Sequence, residues 1–513
     1  MAFTRVFQDF NRTWLQIGDG AGDIFTGDGT VPSGPHKGSF QTRDEIRAGG
    51  GDDFLDGERG RNLLFAEAGD DRITLGDVGD GLAWDRAYGG AGSDIFYGST
   101  TRPIDGKVHL ANGGAGADSF WFHLTPDAAD LRGDTVFVDG IAAVKLKSIE
   151  TVIGSAHDDV LRAGGATFEL IGGSGDDRLV ANPLENPGHP DRGSTLVGGV
   201  GADVLRGGGY RDVLFDHFDP RTGPPASTDA DLDRLYGGGG ADLLFSFSGD
   251  DKLVGGAGRD IIRSLSGNDI IHGGDGADTI LFGAPGHWSL DITRTQGSLY
   301  GVSIDGGTDG RGGDTVDFSM VTLSTGALLR GLEINLGVGK GWNLASPDGP
   351  QKFRIREIEH VAGTERSDVL TGSAEGNTLL GLGGEDIIRG GAGRDQLDGG
   401  AGSDRLFGGA NRDLLYSDFD GDILQGGSGI DRFDFTRTDF TRSGLTARIV
   451  DYDLREAVLT DWEGLFHLDI KDTTEGALVT GDGGVTNILF EGIRAADLAL
   501  DRFFFHPPSE DDF

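Results

Sequence analysis

Written in nines from Thr228, the chain repeats one arrangement of apolar and polar positions: TDADLDRLY, GGGGADLLF, SFSGDDKLV, GGAGRDIIR, SLSGNDIIH and GGDGADTIL, ending at Leu281. Every eighth place is Leu or Ile, and every sixth is Asp: Asp233, Asp242, Asp251, Asp260, Asp269 and Asp278. A second run from Gly363 keeps the register through eight more units, with Asp368, Asn377, Asp386, Asp395, Asp404, Asp413, Asp422 and Asp431 in the sixth place. Places seven to nine predict a short strand whose eighth residue points inward, because side chains alternate along a strand. The six residues before it turn the chain, with glycines adopting conformations that a Cβ forbids. Two units then close one flattened coil, and coils stack so that residues two units apart lie about 4.8 Å above one another. The expected fold is all-β, a parallel β-roll.

Weaker copies extend the pattern towards the N-terminus. Asp23 with Phe25, Asp44 with Ile46, Asp53 with Leu55, Asp71 with Ile73, Asp94 with Phe96 and Asp118 with Phe120 fit the sixth and eighth places. So do Asp159 with Leu161, Asp177 with Leu179, Asp203 with Leu205 and Asp212 with Leu214. Interruptions such as Gly27 to Gly38 and Asp216 to Ser227 read as loops leaving the coil at turns. The expected organisation is several rolls separated by β-inserts. An imperfect roll spans 1–121, a connector or cap 122–153, a second roll 154–281, a β-insert 282–362, a third roll 363–434, and a C-terminal β cap 435–513.

Composition changes the picture in one respect. The chain has 93 glycines, no cysteine, and 84 acidic against 44 basic residues, a formal charge of −40. The absence of cysteine excludes disulfides, thiolate metal sites and a cysteine nucleophile. The negative charge argues against nucleic acid as a partner. Stacking brings the sixth-place carboxylates into columns, where they repel unless a hard dication holds them. Calcium takes six to eight oxygens at about 2.3–2.6 Å from carboxylates and carbonyls, whereas magnesium demands rigid octahedral geometry.

The pattern GGxGxDxUx, with U a large apolar residue, resembles the RTX or haemolysin-type calcium-binding repeat. The phrases Ile149-Glu150-Thr151-Val152-Ile153 and Ile358-Glu359-His360-Val361-Ala362 resemble that family's connectors. The resemblance implies multiple calcium ions, each between turns one coil apart, with sixth-place aspartates and turn carbonyls as ligands. The carboxylates so assigned are Asp53, Asp71, Asp94, Asp118, Asp159, Asp177, Asp203 and Asp212, with the aspartates of the two long runs. An ion beneath Asp242 and Asp260 would also meet Gly238, Gly240, Gly255 and Ala257. Further turn positions expected at ions are Gly249, Gly256, Gly258, Ser264, Ser266, Gly273 and Asp275 in the second roll. In the third they are Gly384, Gly391, Gly393, Gly399, Gly400, Ala401, Gly402, Gly408, Gly409, Ala410, Gly426 and Ser428. Weak or missing sites are expected where Asn377 or Phe168 holds the sixth place, or His157 the fourth.

Residues 435–513 resemble an RTX cap and secretion region, with Ile449-Val450 before Asp451-Tyr452-Asp453 and the stretch Ala495-Ala496-Asp497-Leu498. This implies export through a type I ABC transporter and an extracellular or cell-surface location. It accords with an N-terminus lacking a long apolar core and with no transmembrane segment. With repeats starting near residue 18, no room for a catalytic module is expected ahead of them, and no HExxH, GxSxG or GxxxxGK[ST] occurs. Asp216-His217-Phe218-Asp219 offers metal-ligating residue types but reads as a charged surface loop rather than a metal site, and Arg132-Gly133-Asp134 as a coincidental tripeptide in a polar loop. The functional expectation is a secreted, calcium-ordered structural protein, S-layer-like or adhesive, with self-association or a cell-surface polysaccharide as further partners. The competing readings are an exported enzyme or toxin, or a glycan-binding module, with its site in an insert bearing Trp288, Tyr300 and Trp342.

Overall fold

The computed structural model describes the strands Thr4–Gln8, Thr13–Ile17 and Ile24–Thr26, and residues 43–57, 62–75, 85–98, 108–122, 128, 130–138, 141–183, 193–217, 231–283, 302–309, 313–321, 330–344, 351–418, 421–435, 446–453, 455–460, 469–480, 487–498 and 503–504. Among these there is no α-helix, only two short 3₁₀ turns at Leu336–Val338 and Ala495–Asp497. The chain divides into two units, residues 1–257 and 258–513.

Each unit is a roll of two parallel sheets, and the eighth-place residues stack down the interior. In the first unit one sheet pairs Leu161 with Leu179, Leu179 with Leu205, Leu205 with Leu235, and Leu235 with Leu253. The opposite sheet pairs Leu55 with Ile73, Ile73 with Phe96, and Phe96 with Phe120. It runs on through Val152, Leu170, Leu196, Leu214 and Leu244. In the second unit one sheet stacks Leu370, Ile388, Leu406 and Leu424, and the other Leu379, Leu397, Leu415 and Phe433. These side chains are fully buried, so each coil adds a single apolar layer to a thin core.

The two sheets differ in a way the nonapeptide alone does not predict. In the roll 363–434 one sheet carries six-residue strands, as in Ile387–Ala392, Arg405–Ala410 and Ile423–Ser428, and the other three-residue strands, as in Gln396–Asp398 and Leu414–Tyr416. Around 169–206 the longer strands, Glu169–Ser174 and Thr195–Val200, lie in the opposite sheet. The longer strands continue through the glycines of the next unit, which pair across coils as Gly391 with Gly409 and Gly409 with Gly427. Without a Cβ these glycines lie flat against the coil below. At Gly409 (φ 116°) an added Cβ would stand 2.2 Å from the Gly391 carbonyl oxygen.

The stretches 122–153 and 282–362 carry antiparallel strands, Asp130–Gly133 with Thr135–Val138 and Arg330–Asn335 with Lys340–Asn343. Both also supply rungs to the roll. Val152 pairs with Phe120 and Leu170, and Val316 with Ile280 and Val361. Arg132 and Asp134 are engaged by Asp130 and Lys145, so the tripeptide's charges are spent locally. Trp342 is half-buried in its antiparallel strand, while Trp288, Tyr300 and the loop Gly27 to Gly38 lie outside the described residues. At the C-terminus Thr446–Ile449 and Ala457–Thr460 add parallel rungs, and Asp469–Asp472, Gly476–Thr480 and Asn487–Glu491 form an antiparallel cap.

Candidate metal centres

Burying an unpaired carboxylate is costly, because a low-dielectric interior disfavours the charged form. The roll nevertheless buries a carboxylate at nearly every turn. The described sixth-place aspartates are 0–3 % exposed in both units. They form ladders in which each backbone N–H donates to the Oδ1 of the aspartate one coil further on. In the second unit Asp368 donates to Asp386 (2.7 Å), Asp386 to Asp404 (2.8 Å) and Asp404 to Asp422 (2.9 Å). The other edge runs Asn377 to Asp395 (2.8 Å), Asp395 to Asp413 (3.0 Å) and Asp413 to Asp431 (2.9 Å). Asp260 donates to Asp278 at 2.8 Å. The first unit repeats this from Asp53 through Asp71 and Asp94 to Asp118, and from Asp159 through Asp177, Asp203 and Asp233 to Asp251. Asp212 donates to Asp242 at 2.7 Å.

Only one oxygen of each carboxylate is answered this way. The other, Oδ2, is buried and receives no hydrogen bond at Asp71, Asp94, Asp118, Asp177, Asp386, Asp395 and Asp413. Burial pushes these carboxyls up, with neighbouring aspartates adding to it at several: Asp177 and Asp386 to about 8, Asp94 and Asp413 to about 7, and Asp71, Asp118 and Asp395 to about 6.

The first-place glycine makes the cradle. A Cβ at Gly390 would stand 2.3 Å from Asp395 Oδ2 and 2.6 Å from the Gly408 carbonyl oxygen. At Gly381 the same atoms are Asp386 Oδ2 (2.1 Å) and Gly399 O (2.5 Å), and at Gly172 they are Asp177 Oδ2 (2.2 Å) and Gly198 O (2.4 Å). An anionic oxygen and a carbonyl from the next coil thus converge over each such glycine. Buried, convergent, all-oxygen donors fit a hard dication with a flexible coordination shell, which is calcium.

Of the sequence-predicted residues, Gly384, Gly391, Gly393, Gly400, Gly402 and Gly409 have positive φ, as the turn requires. So do Gly238, Gly240, Gly249, Gly256 and Gly258. Gly273, Gly399, Gly408 and Gly426 lie under the Oδ2 atoms of Asp278, Asp404, Asp413 and Asp431. Three turns carry serine in the first place, and its hydroxyl occupies the carboxylate. Ser246 Oγ donates to Asp251 and Ser417 Oγ to Asp422, each at 2.6 Å, and Ser264 does so to Asp269. The side chains of Asp23 and Asp44 lie outside the described residues.

Several ladder members escaped the sequence pattern. On the second edge of the first roll, Asn62 donates to Asp85 (2.8 Å), and Asp85 to His109 Nδ1 (2.9 Å). His109 is buried and its imidazole is pushed down to about 4 by desolvation, so it stays neutral. Asp85 was hidden by the small Ala87 in its eighth place. Asp314, followed by Val316, carries the full signal inside the expected insert. Glu150 and Glu359 accept the N–H of Asp118 and Asp314, each at 2.9 Å, so the two connector phrases do one job. Asp216 and His217 correct the expectation of a surface loop. Both are buried, and Asp216 lies with Asp233 and Asp251 in a group whose carboxylate oxygens are within 4.8 Å of one another.

A parallel roll turned by glycines and lined by columns of buried carboxylates defines a calcium-binding β-roll protein. The family model for the RTX calcium-binding nonapeptide repeat matches residues 47–82, 85–100, 195–216, 227–262, 255–284, 362–397 and 398–433. The chain carries RTX-type nonapeptide repeats in multiple copies, and these repeats imply calcium binding. No curated protein matches it. Among solved structures, it is similar to the solution structure of the AlgE6R3 subunit from the Azotobacter vinelandii mannuronan C5-epimerase, at 26% identity over 28% of this chain and 83% of that one, with a TM-score of 0.21.

Proposed function

We propose that this is a secreted, calcium-ordered structural protein of the cell surface or extracellular matrix, folding when it meets calcium after export. The observation that carries the reading is the column of buried aspartates whose Oδ2 atoms receive no hydrogen bond. Such a column is unstable without cations, and a site absent from the unfolded chain turns binding energy into folding energy. Extracellular calcium modules bind at about 10⁻⁴–10⁻³ M, above cytosolic levels, so the chain stays unfolded inside the cell and folds outside it. The cap and tail of 435–513 serve type I export in this reading. No helix among the described residues is long and apolar enough to cross a membrane.

The surface role is supported by how much of the chain is roll. Stacked coils present extended flat faces, which suit side-by-side association or binding along a polysaccharide. Electron microscopy with and without millimolar calcium tests this. Ordered assemblies that form with calcium and disperse with chelator are expected, and monodisperse particles at all calcium levels would contradict it.

A further inference from the structure

Apart from the turns whose first-place serine already donates to the carboxylate, the described turns with glycine or alanine in the first place fall into two hydrogen-bonding states, and the residue in the fourth place separates them. In the turns ending at Asp94, Asp177 and Asp395, the second and fourth residues are glycines with positive φ: Gly90 and Gly92, Gly173 and Gly175, Gly391 and Gly393. Their aspartates keep an Oδ2 with no donor. Asn411 holds the fourth place before Asp413 at φ 80°, a region that Asn tolerates, and Asp413 Oδ2 is likewise without a donor.

The turns ending at Asp159, Asp212, Asp368 and Asn377 have His157, Tyr210, Arg366 and Glu375 in the fourth place. Neither these residues nor the second-place residues have positive φ. The chain instead swings the second-place N–H onto the sixth side chain. Ser155 N reaches Asp159 Oδ2 at 2.5 Å, Gly208 N reaches Asp212 Oδ2 at 2.5 Å, Thr364 N reaches Asp368 Oδ2 at 2.6 Å, and Ser373 N reaches Asn377 Oδ1 at 2.7 Å. Where the second residue is Ser or Thr, its hydroxyl also donates to that side chain and accepts the fourth-place N–H, as His157 N to Ser155 Oγ at 3.1 Å.

Two members make the cause plain. The Asp212 turn has glycine in the second place and still closes, so the second residue does not decide. The Asn377 turn closes around a neutral amide, so closure needs no charge and therefore no cation. A bulky fourth residue avoids the left-handed region, and the turn that results satisfies its own sixth side chain.

We infer that, in turns with glycine in the first place, the fourth-place residue selects which take calcium, and that closed turns hold their shape without it. This rests on the calcium reading of the open turns. The closed turns at 154–159 and 363–377 follow the hairpin segments 141–147 and 351–356, where they give each run of open turns a starting coil that forms before any ion arrives.

The test is a calcium count on the full chain by equilibrium dialysis, with the midpoint from calorimetry. The double variant Asp159→Asn, Asp368→Asn is expected to bind as many ions as the unaltered chain with the same midpoint, since Asn377 already fills that role. Asp177→Asn with Asp386→Asn is expected to lose at least one ion, and Tyr210→Gly to gain one. Equal losses in the two double variants, or no gain with Tyr210→Gly, would overturn the inference while leaving calcium binding intact. No uptake by the unaltered chain would overturn the calcium reading itself.

Discussion

In an open turn such as that of Asp386, the sixth-place aspartate accepts a backbone N–H on one oxygen and leaves the other turned into the gap between coils. Removing that second charge removes the reason for an ion, so Asp386→Asn should lower the calcium count and raise the midpoint of calcium-induced folding. The first-place glycine is as demanding. Gly390→Ala puts a methyl 2.3 Å from Asp395 Oδ2, and overpacking of this kind costs about 1–3 kcal/mol. It should weaken calcium-dependent stability in thermal melts, whereas Gly209, where an added Cβ would meet open space, should accept alanine with little change. Protons compete with calcium at the same oxygens. With folded-state values near 8 at Asp177 and Asp386, against an ordinary 3.8, the metal-free folded chain binds more protons than the unfolded one between those limits. Its stability therefore falls as pH rises through that window and is greatest at the acidic end. The calcium-bound form should behave oppositely, with affinity rising from pH 6 to 8 and protons released on binding, which calorimetry in buffers of different ionisation enthalpy will detect. The aspartate columns were legible in the sequence because one residue type recurs at one place with an apolar residue two positions on. The partner of each carboxylate was not, because it depends on whether the backbone two residues earlier adopts positive φ.

At the scale of the coil, one apolar residue per strand supports each rung. Leu406 stacks between Ile388 and Leu424 and is fully buried. Leu406→Ala should cost about 2–5 kcal/mol and shift the calcium midpoint of folding upward, measured by fluorescence titration. The ends of the stack need their own arrangements. After the last repeat the Asp451 carboxylate accepts Gly426 N and Gly427 N, each at 2.9 Å, where a further coil would otherwise pair. Asp451→Ala leaves those donors to solvent, and faster hydrogen exchange at Gly426 and Gly427 is the expected outcome. Parallel pairing and the buried eighth places followed from the repeat directly. The unequal strand lengths did not, since they arise from glycines pairing flat across coils, which no alternation of apolar residues signals. The rungs inside 122–153 and 282–362 were obscured by hairpins that interrupt the spacing without interrupting the ladder.

For the whole molecule, a formal charge of −40 and a core one residue deep per strand leave little to hold the chain together without cations. Calcium supplies that cohesion in this account, and the same dependence ties folding to compartment. Removal of residues 435–513 should leave the calcium response of the first unit intact while abolishing export from a cell that carries a matching transporter. The central claim is that calcium folds the roll, and far-ultraviolet circular dichroism of the full chain tests it most directly. With excess chelator at neutral pH the account predicts a spectrum dominated by disordered chain, and with millimolar calcium a cooperative gain of β structure that chelator reverses. The same β content under both conditions would contradict it.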